Sequence, residues 1–396
     1  MKYFIYKNLP IENCYGCRAC EQICTYRAIS FKENEEGFLY PEINQNLCTD
    51  CGACEKVCPT QTANHIRILH EAQKNVYAAW NKNLEERLES TSGGIFYLLA
   101  QEWLKNGGIV YGVILNDELH AIHAKIENEE DLKATRGSKY VQSDTNSTYR
   151  QVHKNLQAGK RVLYSGTPCQ IAGLRLFLRK EYENLTTIDL VCHGTPSPLI
   201  FKAHITYIEE RLHDKVTDMK FRAKKKTGWR TYAKYTFRDH KPIFHFLGDD
   251  FYCHAFHKGW INRKACYTCD FSRAERVGDI TLSDFWNSEK HLKELKHIRK
   301  HGFNLVICNT PKGEILLKRI YPKIEKRVLP ATIAIRGDKR LNNIQNKPEF
   351  RNKFYTIYKE NGYAYLVENY SKEKFIIKKL IPTWVKNIIK EIQSYI

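Results

Sequence analysis

The chain has 396 residues, 42% of them hydrophobic, 12% aromatic and 27% charged. So much apolar surface excludes global disorder, and no apolar run approaches the roughly 18 residues a membrane-spanning helix needs. Lys and Arg outnumber Asp and Glu by 63 to 44, a formal +19 that would suit a solvated basic surface with anion sites, or binding to nucleic acid, anionic lipid or an acidic partner.

Met1 to Asn13 has no basic region followed by a long apolar stretch, so no secretion signal is expected. A cytoplasmic setting makes clustered cysteines metal ligands before disulfides. Eight of the 14 cysteines fall in two runs, CYGCRACEQIC (Cys14 to Cys24) and CTDCGACEKVC (Cys48 to Cys58). Six of the eleven aligned positions are identical and all four cysteines coincide, an internal repeat offset by 34 residues. Between the runs, Phe31 to Ile43 alternates around Asn34 and Gly37, which predicts a small hairpin.

Each run is C-x2-C-x2-C-x3-C, the dicluster ferredoxin spacing. Three close thiolates reach one cubane, and the fourth cysteine points to the other. The assignment is Cys14, Cys17, Cys20 and Cys58 for one [4Fe-4S] cluster, and Cys48, Cys51, Cys54 and Cys24 for the second. Pro59 ends the second run as the motif requires, whereas Thr25 stands at the corresponding place in the first. Zinc is the competing metal for thiolate quartets, but the doubled triple spacing favours cubanes.

Beyond residue 75, strand and helix patterns alternate, which implies a mostly parallel sheet. Strands are predicted at Val76–Trp80, Ile109–Leu115, Arg161–Ser165, Thr187–Cys192 and Leu305–Cys308. Helices are predicted at Ile95–Leu104, capped by Asn106-Gly107-Gly108, after Gly-Thr-Pro to about Lys180, and near Phe251–Trp260. Tyr232–Arg238 is strand-like. The last 80 or so residues read as helical or loosely packed. They end in an apolar stripe of Ile381, Trp384, Val385, Ile388, Ile389 and Ile392. That stripe suits packing on the body or a partner, or a peripheral contact with the inner face of a membrane.

Cys169 opens a helix and Cys192 ends the next strand, so both should face the crevice at one edge of the sheet. With the pair Cys266 and Cys269 they make a third candidate quartet, against the alternative of four buried thiols. Cys253 and Cys308 read as core, and His193, His254 and His257 as structural. Ser90-Thr91-Ser92-Gly93-Gly94 before a helix, with Arg136 and Lys139 around Gly137, offers either a phosphate site or an ordinary helix cap. No G-x-G-x-x-G follows a strand, so a nicotinamide site is not expected. Lys224-Lys225-Lys226 reads as a solvated face.

Seven motifs in order resemble the coenzyme F420 hydrogenase/dehydrogenase beta subunit family over about residues 72–320. They are Ser-Thr-Ser-Gly-Gly (90–94), Arg-Gly-Ser-Lys-Tyr (136–140), Ser-Gly-Thr-Pro-Cys-Gln (165–170) and Cys-His-Gly-Thr-Pro-Ser-Pro (192–198). Phe-Arg-Ala-Lys (221–224) with Gly228-Trp229, Cys-Tyr-Thr-Cys (266–269) and Asp-Ile-Thr-Leu-Ser-Asp-Phe-Trp (279–286) complete the set. Ser283 and Asn287 stand where relatives tend to carry glycine.

The resemblance implies an FAD module with a third [4Fe-4S] cluster on Cys169, Cys192, Cys266 and Cys269, and flavin contacts at Thr91, Ser92, Gly93, Gly94 and Lys139. Three clusters and a flavin diphosphate would lower the formal charge from +19 to about +11.

The expected fold is α+β: a small dicluster ferredoxin domain, then a larger α/β domain with a mostly parallel or mixed sheet. The expected boundaries are 1–70 for the 2x[4Fe-4S] ferredoxin-type domain, 71–155 and 156–325 for the two hydrogenase beta-subunit-like regions, and 326–396 for a basic, largely helical tail. The expected activity is a cytoplasmic iron–sulfur flavoprotein oxidoreductase. It would pass electrons between the clusters and FAD, then to a deazaflavin-like coenzyme or organic substrate. One alternative is a non-catalytic carrier subunit delivering electrons to a separate redox partner. Another is a nucleic-acid or membrane-surface module with structural clusters, and nucleic acid is not the expected partner.

Overall fold

In the computed structural model, residues 10–371 are described except 62–63, 65–66, 72–74, 226–227, 287–291, 296–297, 299 and 334–337. The apolar stripe beginning at Ile381 lies outside them, as do Lys226 and Asn287. Among the described residues, no helix is long and apolar enough to cross a membrane.

The cysteine repeat is also a repeat of backbone conformation. Gly16 and Arg18 in the first run, and Asp50 and Gly52 in the second, all take positive φ. The glycine changes place between the two copies, but the same two left-handed turns lead each loop into a short helix, α1 (Ala19–Ile23) and α2 (Ala53–Lys56). Between them β1 (Ile29–Glu33) and β2 (Leu39–Ile43) form the expected antiparallel hairpin. Its turn is held by the Asn34 side chain, which accepts the Glu36 and Phe38 N–H groups.

The body is built on an eight-stranded mixed sheet. Its strands are β3 (Asn75–Asn81), β4 (Ile109–Leu115), β5 (Ala121–Ile126), β6 (Val162–Gly166), β7 (Leu185–Leu190), β11 (Ile280–Asp284), β12 (Asn304–Cys308) and β13 (Ile324–Leu329). Their order is β13-β3-β12-β11-β7-β6-β4-β5. Only the stretch β11-β7-β6-β4 is parallel, and the strands outside it pair antiparallel. The central strands are buried on both faces, which explains their unbroken apolar runs.

Helices α4 (Ile95–Lys105) and α10 (Pro311–Arg319) cover one face. Helices α6 (Thr148–Gln157) and α7 (Pro168–Leu178) cover the other, and α1 packs on α7. Pro168 at the first turn of α7, and Gln170, whose side chain accepts the Thr167 N–H at 3.0 Å, start that helix directly after β6.

A second core joins the antiparallel sheet β8 (Val216–Lys225), β9 (Gly228–Phe237) and β10 (Ile243–Phe246) to α8 (Pro198–Leu212), α9 (Phe251–His257) and α11 (Phe350–Tyr370). The small cysteine-rich unit is pinned to this part through its hairpin turn. The buried Arg351 of α11 makes a two-point ion pair with Glu36, at 2.7 and 2.6 Å, and the Ser197 hydroxyl donates to the Glu36 carbonyl at 2.5 Å.

Removing Glu36 would leave the Arg351 guanidinium buried without its carboxylate. Glu36→Ala is expected to destabilise the cluster-loaded protein by about 3–5 kcal/mol in denaturant unfolding, with Glu36→Asp losing less.

Candidate iron–sulfur centres

The thiols fall into three groups. Burial pushes the Cys17 thiol well up, and neighbouring Cys58, Cys14 and Cys169 push it further, against the Ala19 N–H. Burial does the same to Cys20, reinforced by Cys14, Cys58, Cys17 and Cys54. Cys58 of the second run thus stands with Cys14, Cys17 and Cys20. Burial raises Cys54 too, opposed by backbone N–H groups and reinforced by Cys48 and Cys51. Cys24 follows α1, and its Sγ accepts the Ala28 N–H at 3.3 Å. The Gly16 N–H reaches the Cys14 Sγ at the same distance. Such N–H···S bonds stabilise thiolate and are a lever on cluster potential.

The third group forms at the carboxyl edge of the parallel strands. Cys169 follows β6 at the start of α7, and Cys192 lies two residues beyond β7 rather than ending it. With Cys266 and Cys269 they line one cavity. Burial lifts Cys169 to about 11 and Cys192 to about 12, and in both the Cys266 thiol adds to the effect. Cys269 is raised well above its ordinary value by burial, then by Cys169, Cys266 and Cys192. Hydroxyls attend two of the sulfurs: Thr167 Oγ1 lies 3.3 Å from Cys169 Sγ and Thr195 Oγ1 lies 3.4 Å from Cys266 Sγ.

An all-thiol donor set in one buried pocket, with mutual repulsion that a bound cation would relieve, fits an iron–sulfur cluster. Among the described residues, no three His, Cys, Asp or Glu side chains are placed to hold a single metal ion. A cubane presents its irons at separate corners, so its four thiolates need not converge on one point.

The first and third groups are neighbours. Tyr15, from the first cysteine loop, reaches the third cavity, where its hydroxyl donates to Asp270 Oδ2 at 3.0 Å and its ring meets Phe271 edge-on. Gly173 of α7 makes the approach possible, since a Cβ there would stand 2.9 Å from Cys17 Sγ. Arg263 inserts between them and hydrogen-bonds the Cys14 carbonyl at 2.5 Å. Tyr15, Gly173 and Arg263 carry no motif signal of their own. The 34-residue repeat did, and it located only the ligand candidates.

Cys253 and Cys308 are buried, in α9 and β12, away from these cavities. His254 and His257 lie in α9, and His193 lines the third cavity.

The serine–glycine segment follows β3 and α3 (Leu84–Glu89) and returns to the same sheet edge, where Asn81 donates to the Gly93 carbonyl at 2.8 Å. Ser92 is buried and its hydroxyl donates to the Phe303 carbonyl at 2.5 Å. Gly93 lies against the Ala79 carbonyl, and Gly94 caps α4. Thr91 Oγ1 accepts the Ser138 N–H at 2.8 Å, which joins the two glycine motifs. Lys139 Nζ donates to the Ala134 and Arg136 carbonyls, and burial lowers its pKa to about 7.

Other motifs converge here. Lys224 Nζ donates to the carbonyls of Ser92, Arg87 and His301 at 2.5–2.8 Å, and burial lowers its pKa to about 6. Lys224 is therefore partly buried rather than part of a solvated face. Arg222 pairs with Asp284 and lies 4.9 Å from the Trp286 ring.

Residues 13–62 match the 4Fe-4S dicluster domain. With the geometry above, this defines an iron–sulfur electron-transfer protein. Residues 159–330 match the family model for the C terminus of the coenzyme F420 hydrogenase/dehydrogenase beta subunit, so over this stretch the chain is similar to that oxidoreductase family. The chain also aligns with one in a xenon-derivatised F420-reducing [NiFe] hydrogenase complex from Methanosarcina barkeri. That alignment has 16% identity, covers 77% of this chain and 94% of that one, and has a TM-score of 0.44. No curated protein matches the chain.

Serine substitutions separate ligands from core thiols. Cys192→Ser is expected to lower iron by about four atoms per chain, the content of one cubane, whereas Cys308→Ser leaves iron unchanged by colorimetric assay.

Proposed function

We propose that this chain is a reductase module. In it Cys14, Cys17, Cys20 and Cys58, then Cys48, Cys51, Cys54 and Cys24, then Cys169, Cys192, Cys266 and Cys269 each hold a [4Fe-4S] cluster, and the seam between the two glycine motifs holds FAD. One observation carries this reading: the three thiol groups are consecutive neighbours with graded exposure. Cys51 is exposed, Cys54 beside it is half-buried, Cys17 and Cys20 are buried, and Cys17 adjoins Cys169 at the sheet edge. When bound, the clusters supply single-electron steps and the flavin exchanges these for two-electron chemistry.

The chain's residues supply position and field. The second group, which carries the exposed Cys51, gives an external redox protein its point of contact. Tyr15 and Gly173 hold the first group against the third. Lys224 and Arg87 are held without carboxylates among the described residues, and burial lowers Arg87 to about 9. Arg87 stays charged at neutral pH, and a bound diphosphate would draw Lys224 and Lys139, whose ammonium forms burial disfavours, back to their charged state at the Thr91–Ser138 seam. The acceptor would be a deazaflavin-like coenzyme, by the chemistry the family's description names, or another organic hydride acceptor.

Anaerobic isolation followed by iron, sulfide and flavin analysis tests the reading. About twelve irons and one FAD per chain are expected. A full iron load without flavin would instead make the chain a carrier subunit for a separate enzyme. About four to eight irons without flavin would overturn both the third site and the reductase.

A further inference from the structure

Arg263 is fully buried, and its guanidinium has three acceptors: the Cys14 carbonyl at 2.5 Å, Gln142 Oε1 at 3.1 Å and the Leu39 carbonyl at 2.9 Å. It lies 4.0 Å from the Tyr40 ring centroid. All these partners are neutral, and among the described residues no carboxylate forms an ion pair with it. Three other buried arginines are compensated, Arg351 by Glu36, Arg276 by Asp189 and Arg222 by Asp284, while Arg87, like Arg263, bonds only neutral carbonyls among the described residues. A buried guanidinium with no counter-charge is strongly disfavoured, so the negative charge must come from another source.

The surroundings identify that source. Arg263 touches the first cysteine group through Cys14 and lines the cavity of Cys169, Cys192, Cys266 and Cys269. It favours the Cys169 thiolate. A quartet of thiolates around a cubane leaves a net negative charge on each site.

We propose that Arg263 is the shared counter-ion of the first and third clusters and raises the reduction potential of both. It acts through its charge, as a positioning residue rather than a catalytic one. The inference rests on the cluster assignment above. Each cluster takes one electron from the reductant and its site becomes more negative by one charge, which the fixed guanidinium stabilises. The second cluster, held at Cys48, Cys51, Cys54 and Cys24, does not border Arg263 and should be indifferent to it.

The test is a dithionite titration of the full-length, cluster-loaded chain followed by electron paramagnetic resonance, comparing wild type with Arg263→Gln, Arg263→Lys and Gln142→Glu. In Arg263→Gln, two of the three transitions should move to lower potential. About a tenfold fall in the reduced-to-oxidised ratio at fixed potential corresponds to 59 mV for one electron. Arg263→Lys keeps the charge and should stay near wild type. Gln142→Glu keeps the arginine but places a carboxylate against it, and should reproduce the Arg263→Gln shift. Unmoved potentials in Arg263→Gln at full iron content would overturn the proposal, as would equal shifts in Arg263→Gln and Arg263→Lys. If Arg263→Gln fails to hold clusters, Gln142→Glu decides alone, and an unchanged potential there overturns it. A wild-type chain without iron would defeat the cluster reading itself, and this inference with it.

Discussion

The arrangement rests on two guanidinium groups that reach from the α/β body into a very small neighbour. Arg351 grips the hairpin turn through Glu36, and Arg263 grips the first cysteine loop and β2 through the Cys14 and Leu39 carbonyls. A unit of about 60 residues with two short helices and one hairpin buries too little apolar surface to fix its own orientation. Directional, charge-assisted bonds to a larger partner provide that orientation, and Tyr15 and Gly173 then bring sulfur close to sulfur.

The second constraint is the direction of the strands. Parallel neighbours β6 and β7 deliver Cys169 and Cys192 to one edge without any local motif that would hold them together. Cys266 and Cys269 then come from a distant turn, placed by Arg263 on one side and by the buried pair of Arg276 and Asp189 on the other. The site is thus a product of topology, whereas the two ferredoxin sites are products of spacing.

That difference explains what could be read in advance. The doubled C-x2-C-x2-C-x3-C runs, the hairpin between them and the strands from Val76 to Cys308 stand close to where local pattern puts them, because their signals lie within a dozen residues. The reversal at β12, β3 and β13 was not legible. Antiparallel and parallel strands buried on both faces have the same apolar runs, and Ile324–Leu329 looks like part of a polar tail until it pairs with β3. The burial of Lys224 is hidden for a related reason. A lysine run looks solvated unless one knows that β8 carries its first residue, Lys224, under Ser92. Arg263, one arginine among many, acquires meaning only when two distant loops close around it.

The reversal in the sheet has a consequence of its own. With two strands interposed, β3 again runs in the same direction as β7, so the threonine–serine segment and Cys192 emerge on a common rim. Three strand-to-strand steps separate them, about 14 Å at the ordinary sheet spacing. On the flavin reading proposed above, that rim would act as a ruler, the number of strands between β7 and β3 setting the length of the last electron hop.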